Sequence, residues 1–220
     1  MIPRVLEAEV MDGEAEAREY DTMDHSAVNR AFAADFLARC PSPDGAILDV
    51  GTGTAQIPIE LCRQSRAVRI VAVDLSDAML EIARKNTVEA GFQERIAIEL
   101  ADGSALPYPD GRFHAVVSNS IIHHIPEPAG CFAEMVRVSA NGAAIFVRDL
   151  LRPDSIAELE RLVQLHAADA NERQRSLFRD SLHAALTLDE VRGFIVALGF
   201  PADTVMQTSD RHWTWSATAE

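Results

Sequence analysis

Short apolar runs alternate with amphipathic segments through the first two thirds of this chain. Each run has the length of a buried strand, and each is followed by a segment in which apolar residues recur at helical spacing. Strands that alternate with helices form a mostly parallel sheet with helices on both faces. The sequence therefore predicts an α/β fold with a Rossmann-like, doubly wound sheet. The predicted strands cover residues 46–50, 69–74, 95–100, 113–118 and 143–147.

The segments outside these units predict further elements. An amphipathic helix is expected over 26–39, ended by Pro41 and Pro43. A longer helical stretch is expected over 154–186, and the Thr187-Leu188-Asp189-Glu190 capping box predicts a last helix that ends at Gly199. Two short strands near 204–206 and 212–215 complete the sheet. Helical spacing gives the first of these helices an inward face: His25, Val28, Phe32 and Phe36.

No repeat, low-complexity tract or linker requires a second domain, so a single domain over 1–220 is expected. Its parts are an N-terminal lid helix region (1–40), a cofactor-binding core (41–150), a helical lid insertion (151–186) and a C-terminal helix with strands (187–220). Ligands of open α/β sheets bind outside the carboxyl ends of the strands. The two lid segments are placed to cover a substrate there.

Composition and net charge limit the classes of molecule that the chain is expected to bind. The net charge of −14 opposes binding to a phosphate backbone, and the arginines over 173–179 are interspersed with acids, as on a solvated helix face. A small-molecule substrate is therefore expected, with no nucleic acid and no membrane as partner. The three cysteines are widely spaced and do not suggest disulfide bonds, so they are expected to be reduced. The first charged residue is not followed by the apolar run of a signal peptide, so a cytoplasmic protein is expected. The sequence does not indicate the oligomeric state.

A glycine turn follows the first predicted strand, at Asp49-Val50-Gly51-Thr52-Gly53. Glycines at this place allow positive φ or close approach of a ligand, and Thr54 is expected to cap the next helix. A dinucleotide fingerprint would have its third glycine at position 56, which is Gln56, and the Gly-Lys-Ser/Thr ending of a phosphate-binding loop is absent. A carboxylate at Asp49 would repel a diphosphate but suits an ammonium group. These features point to S-adenosylmethionine (SAM).

With this motif the chain resembles the class I SAM-dependent methyltransferases, in their small-molecule branch. The family has a third glycine where this chain has Ala55. The resemblance implies a seven-stranded sheet with an antiparallel last strand, Asp74 on the ribose, Leu75 and Met79 beside the adenine, and Asp102 on the adenine amino group. It implies the following cofactor-binding set: Asp49, Gly51, Thr52, Gly53, Gln56, Asp74, Leu75, Met79, Ala101, Asp102, Gly103, Asn119 and Ser120.

The implied reaction is in-line displacement of a methyl group from the sulfonium to a small-molecule acceptor. Positioning and desolvation supply most of the catalysis, and a base is needed only if the acceptor loses a proton. His166 fits equally well as a core residue, and Arg148 as half of an ion pair with Asp149. The catalytic candidates are Tyr20, His25, His123, His124, Arg148 and His166.

Two other functions remain open at this stage. A SAM-binding regulatory protein without catalysis would keep the same loops. A nucleotide-dependent oxidoreductase is opposed by Gln56 and Asp49. No required metal is expected, because Asn119 stands after the fourth strand without an aspartate neighbour. The sequence does not select an oxygen, nitrogen, sulfur or carbon acceptor.

Overall fold

A computed structural model describes residues 2–7, 13–22, 25–40 and 45–220 of the chain. Pro41 and Pro43, which were expected to end the first amphipathic helix, lie outside the described residues. The chain forms two compact units. One consists of Met1–Val10, Ser120–Pro128 and Arg148–Trp215, and the other of Met11–Asn119, Ala129–Val147 and Ser216–Glu220.

Seven strands form one sheet in the order β3-β2-β1-β4-β5-β7-β6. The pairs β1–β2, β1–β4 and β2–β3 are parallel, whereas β6 and β7 are antiparallel. The predicted fold class, a mostly parallel sheet with an antiparallel end, is confirmed. The strands are β1 (Ala46–Val50), β2 (Arg69–Asp74), β3 (Ile96–Leu100), β4 (Phe113–Asn119), β5 (Ser139–Leu150), β6 (Val205–Gln207) and β7 (His212–Thr218).

Eight α-helices and two 3-10 helices lie in the part of the chain that the structure describes. None of these helices is both long enough and apolar enough to cross a membrane. The 3-10 helices cover Ile122–His124 and Ala202–Thr204. The α-helices are α1 (Glu14–Asp21), α2 (Ser26–Arg39), α3 (Gln56–Gln64), α4 (Asp77–Glu89), α5 (Ala129–Val138), α6 (Ile156–His166), α7 (Glu172–Ala184) and α8 (Leu188–Ala197).

Helix α2 contributes two aromatic rings to the core of its unit. Phe32 and Phe36 are fully buried, and both rings contact Phe146 of β5, with centroid distances of 5.2 and 6.1 Å. The predicted inward face is wrong at its start, since Val28 is 38% exposed and His25 is only half-buried. The first turn of α2 therefore lies outside the core.

The long helical stretch expected over 154–186 consists of two helices, α6 and α7. A new helix begins because Asn171 caps α7: its side chain accepts a hydrogen bond from the backbone N–H of Gln174, whose side chain bonds back to Asn171. Apolar residues of both helices pack with the N-terminal segment in a core of their own. Its buried members are Ile2, Leu150, Leu159, Leu162, Val163, Leu182 and Ala185.

Predicted helix ends agree with the structure at two sites and differ at a third. Ser76 caps α4, and Thr187 caps α8 in a reciprocal box with Glu190, as expected. Thr54 does not cap α3. The N-cap is Ala55 in the left-handed conformation with φ +63°, and the Thr54 hydroxyl is buried without a hydrogen-bond partner among the described residues.

Truncation of the buried ring of Phe32 to alanine is expected to lower the free energy of unfolding by about 3–5 kcal/mol, because it leaves a cavity beside Phe146. Val28→Ala, on the same helix but exposed, serves as the control and is expected to change it by less than about 0.5 kcal/mol. Urea denaturation followed by circular dichroism measures both values. Equal effects would contradict this description of α2.

Candidate active site

In the turn after β1, backbone N–H groups donate hydrogen bonds to acceptors at the end of β2. Gly51 and Thr52 both donate to the Val73 carbonyl at 2.8 Å. Gly51 and Gly53 have φ of +73° and +53°, a region that side chains disfavour. The glycines predicted from the motif are thus required by the backbone itself.

Asp74 joins this turn to the start of α4. Its Oδ2 accepts a hydrogen bond from the Gly53 N–H at 2.8 Å, and its Oδ1 accepts one from the Ser76 N–H at 2.9 Å. Each carboxylate oxygen can accept a further bond. Asp74 therefore fixes the turn and keeps acceptor capacity for a ligand.

Asp49 is a buried carboxylate that lacks a full set of partners. Its side chain is 2% exposed, and Oδ2 accepts no hydrogen bond from any described residue. Burial is the main cause that raises the pKa of Asp49 to about 7; the Thr52 hydroxyl opposes it, and the negative charge of Asp74 adds a smaller increase. The Thr54 hydroxyl is likewise buried and unpartnered within the described residues. Such orphaned polar groups fit a site that a polar ligand completes.

The other residues of the predicted cofactor set differ in exposure. Met79 and Ala101 are buried, whereas Leu75 is 65% exposed. The exposed Asp102 holds its own turn, since its Oδ1 accepts from the Ser104 N–H at 2.8 Å. A Cβ at Gly103 would lie 3.0 Å from Val50, so a larger side chain would crowd the end of β1.

The sequence did not assign the contact that α1 makes with this turn. Asp21 Oδ1 accepts hydrogen bonds from Asn86 Nδ2 at 2.9 Å and Gln56 Nε2 at 3.3 Å. Asn86 also donates to the Thr54 carbonyl at 3.1 Å. Asp21 was expected only as part of a lid, and Asn86 gave no signal except a polar side chain in the middle of a helix. Gln56, from the predicted set, is thereby engaged by a protein carboxylate.

A second cluster lies in the other unit, where a buried aspartate binds the 3-10 helix after β4. Asp149 Oδ1 lies 2.6 Å from His123 Nδ1, and its Oδ2 accepts from the N–H groups of Ile122 at 2.5 Å and His123 at 3.4 Å. Burial opposes protonation of His123, but the nearby Asp149 carboxylate outweighs it and raises the pKa of His123. His123 is 4% exposed.

Glu7 adds a second carboxylate to this cluster. Its Oε2 lies 3.0 Å from His124 Nδ1, its Oε1 lies 3.9 Å from His123 Nε2, and Ser181 donates to Oε1 at 2.6 Å. Burial alone would raise the pKa of Glu7, but its hydrogen bond with His124 lowers it below the ordinary value. Of the two histidines, His124 is the accessible one, with 37% of its side chain exposed.

Of the remaining catalytic candidates, Arg148 and His166 have side-chain hydrogen bonds to residues outside both clusters. Arg148 donates from Nε to the Thr214 hydroxyl at 2.9 Å. His166 Nε2 lies 2.8 Å from the Asp210 carboxylate, beside Arg211, so it belongs to a surface ion cluster. His25 precedes α2, and the side chain of Tyr20 lies outside the described part of the structure.

The boundary between the two units falls between Asn119, the last residue of β4, and Ser120. Asn119 ends β4 and is half-buried. Ser120 has φ +59°, and its N–H donates to the Arg148 carbonyl at 2.9 Å. Their predicted contacts with a cofactor stay predictions.

Residues 48–147 match the family described as "Methyltransferase domain". This segment contains the glycine turn, Asp74 and Asp102. The segment is therefore similar to the domains of this methyltransferase family. Because the matched segment runs from β1 to β5, the domain's parallel strands and the loops that follow them are the part that the family shares.

Proteins similar to this chain include two named methyltransferases. A ubiquinone/menaquinone biosynthesis C-methyltransferase from Geobacter sulfurreducens is 32% identical over 115 residues, which are 52% of this chain and 45% of the relative. A 27-O-demethylrifamycin SV methyltransferase from Amycolatopsis mediterranei is 29% identical over 174 residues, or 78% of this chain and 60% of the relative. The chain thus spans about half the length of the curated relatives it matches.

Solved structures show the same fold as the methyltransferase domain and its flanking elements. A SAM-dependent methyltransferase from Aquifex aeolicus superimposes with a TM-score of 0.71 at 15% identity, covering 94% of this chain and 99% of that one. A plantazolicin methyltransferase crystallised with S-adenosylhomocysteine gives a TM-score of 0.68 at 13% identity, covering 93% and 90%. At these identities the likeness concerns the fold.

The raised pKa of Asp49 predicts a dependence of stability on pH. The folded, ligand-free chain holds a proton on Asp49 up to about pH 7, whereas the unfolded chain loses it near the ordinary value of 3.8. This carboxyl therefore lowers stability progressively as the pH rises from about 4 to about 7. Asp49→Asn removes this ionisation. The difference in the free energy of unfolding, variant minus original chain, should therefore increase by about 1–3 kcal/mol between about pH 4 and about pH 7.

Urea denaturation at several pH values between about 4 and about 8 measures this difference, since all other titrations are common to both chains. A difference that stays constant with pH would contradict the description of Asp49 as a buried carboxylate that costs free energy when ionised.

Proposed function

We propose that this chain transfers a methyl group from SAM to a small-molecule acceptor. One observation carries the proposal: the glycine turn is bordered by two carboxylates, Asp74 and the buried, incompletely paired Asp49, rather than by cationic groups. The ammonium and sulfonium of SAM outweigh its single carboxylate, so its net charge complements this site. A diphosphate would be repelled there.

The proposed contacts follow from the chemistry of each position. Asp49 accepts a hydrogen bond from the ammonium of the methionine part, which pairs its orphaned oxygen and favours its ionised form. The free acceptor positions of Asp74 bind the ribose hydroxyls. Met79 and Leu75 border the adenine, and Asp102 accepts from its amino group. Ammonium pairing supplies the compensation that a buried carboxylate requires.

Bound SAM supplies an activated methyl group, whose bond to sulfur breaks as its bond to the acceptor nucleophile forms in line. Apart from binding, the protein's task is to hold the acceptor on that line and to exclude water. Because sulfonium is a good leaving group, a protein base is required only for acceptors that must lose a proton.

The proposed acceptor is a diffusible small molecule. The net charge of −14 disfavours a polyanionic substrate such as a nucleic acid. The two relatives described above are named for quinone and rifamycin methylation, at carbon and oxygen respectively. Hydroxylated aromatic compounds are therefore the first acceptors to test.

Asp74→Asn is expected to lower the affinity for SAM by about 10- to 100-fold, the cost of weakening hydrogen bonds to a charged group. Asp77→Asn, three residues further on and exposed, is the matched control and should bind as the original chain does. Titration calorimetry with SAM, and in parallel with NADH, measures both. Tight NADH binding without SAM binding would favour the oxidoreductase alternative.

Transfer itself is tested by incubating the chain with methyl-labelled SAM and a panel of hydroxylated aromatic compounds, amines and thiols. One member is expected to gain the mass of one labelled methyl group, and Asp74→Asn should abolish the gain at low SAM concentration. SAM binding without transfer to the panel or to a metabolite extract would contradict the proposed activity and favour a regulatory SAM-binding protein.

A further inference from the structure

We infer that Glu7, His123 and His124 form a binding site for one divalent transition-metal ion of the zinc type. These three side chains offer one carboxylate oxygen and two imidazole nitrogens, and the three ligand atoms all lie within 4.8 Å of one another. Two histidines and a glutamate are a common ligand set for Zn²⁺. This inference does not rest on the proposed methyl transfer.

The hydrogen bond to Asp149 fixes which nitrogen of His123 faces Glu7. With the Nδ1 proton donated to Asp149 at 2.6 Å, a neutral His123 directs the lone pair of Nε2 toward Glu7 Oε1, 3.9 Å away. Two electron-rich atoms in a buried place repel each other. The arrangement is favourable only with a cation between them, which is either a proton or a metal ion.

The distance of 3.9 Å between Glu7 Oε1 and His123 Nε2 is too long for a direct hydrogen bond but suits two ligands of one metal ion. Tetrahedral sites with bonds of about 2.0–2.2 Å have ligand atoms about 3.3–3.6 Å apart. The two oxygens of Glu7 lie on either side of that range, Oε2 at 3.0 Å from His124 Nδ1 and Oε1 at 3.9 Å from His123 Nε2. The two imidazole rings are 4.0 Å apart with an interplanar angle of 39°, so both nitrogens approach the same carboxylate. Small side-chain adjustments would bring all three to bonding distance.

The outer partners of a metal site are already in place. Asp149 holds His123 in the carboxylate–histidine arrangement that orients metal-binding imidazoles, and Ser181 donates to Glu7 Oε1 at 2.6 Å. Arg4 fixes the N-terminal segment by donating to the carbonyls of His123 and Ile125 at 3.2 and 2.9 Å. Glu7 is thereby held against the 3-10 helix.

His124 is the most accessible of the three side chains. Glu7 and His123 are 10% and 4% exposed, whereas His124 is 37% exposed. A metal ion can enter on the His124 side, and its fourth position can take water there. Carboxylate and imidazole ligands favour Zn²⁺ and its neighbours over Ca²⁺ and Mg²⁺, which prefer oxygen ligands only.

The test uses the full chain without a polyhistidine tag, and Zn²⁺ or Co²⁺ alone as probes. We expect one Zn²⁺ per chain after dialysis, measured by elemental mass spectrometry. Co²⁺ should give the visible absorption of a four- or five-coordinate site. Glu7→Gln should weaken Zn²⁺ binding by at least about 100-fold, and Ser181→Ala by about 10-fold, as for loss of an outer partner.

His114→Asn, which changes an exposed histidine of β4, is the matched control and should bind Zn²⁺ normally. If Glu7→Gln fails to fold, His124→Asn replaces it, since that side chain is partly exposed. The inference would be overturned if the original chain did not bind Zn²⁺, or if the Glu7 and His124 variants bound Zn²⁺ as tightly as the original chain does. The cluster would then be a proton-bridged ionic network. Neither result bears on SAM binding, which is measured separately.

Discussion

The hydrogen bonds of Asp74 hold the glycine turn after β1 and the start of α4 together. One carboxylate oxygen takes the N–H of Gly53 in the turn after β1, and the other takes the N–H of Ser76 at the cap of α4. Parallel strands place both loops at the same edge of the sheet, and one side chain then sets their spacing. Without the Asp74 side chain, the N–H group of Gly53, a residue with positive φ, would lose its hydrogen-bond acceptor. Stability of the loops and the shape of the site thus depend on the same two bonds.

Much of this arrangement could be predicted from local sequence. Apolar runs located the parallel strands, and the caps at Ser76 and Thr187 follow from hydroxyl chemistry within three residues. Thr54 was mistaken for a cap because a hydroxyl before a helix satisfies the same local rule. The structure places Ala55 in the left-handed region instead, a consequence of the tight turn that follows Gly53. Periodicity likewise included Val28 in the core, since it records spacing and not where the helix first meets the sheet.

The histidine cluster was beyond such rules because its members come from distant parts of the chain. Asp149 is 26 residues from His123, and Glu7 is more than a hundred residues away from it. Glu7 belonged to an acidic segment that gave no signal by itself. Its position depends on Arg4, which bonds to carbonyls that exist in that orientation only after the 3-10 helix has formed. Long-range packing decides these contacts, so one sequence read locally identifies the histidines but not their partners.

Asp49 and Asp149 show how surroundings assign opposite tasks to the same residue type. Both are aspartates near the carboxyl end of a strand, and both are nearly inaccessible, at 2% and 1% exposure. Asp149 has its oxygens occupied by backbone N–H groups and His123, so its pKa is lowered despite the opposing effect of burial. Asp49 retains an oxygen with no partner in the described chain, and burial raises its pKa to about 7. A folded chain gains nothing by itself from burying an incompletely paired carboxylate. Asp149 is therefore explained by the fold alone, whereas the proposed binding of a positively charged ligand would explain why Asp49 is buried.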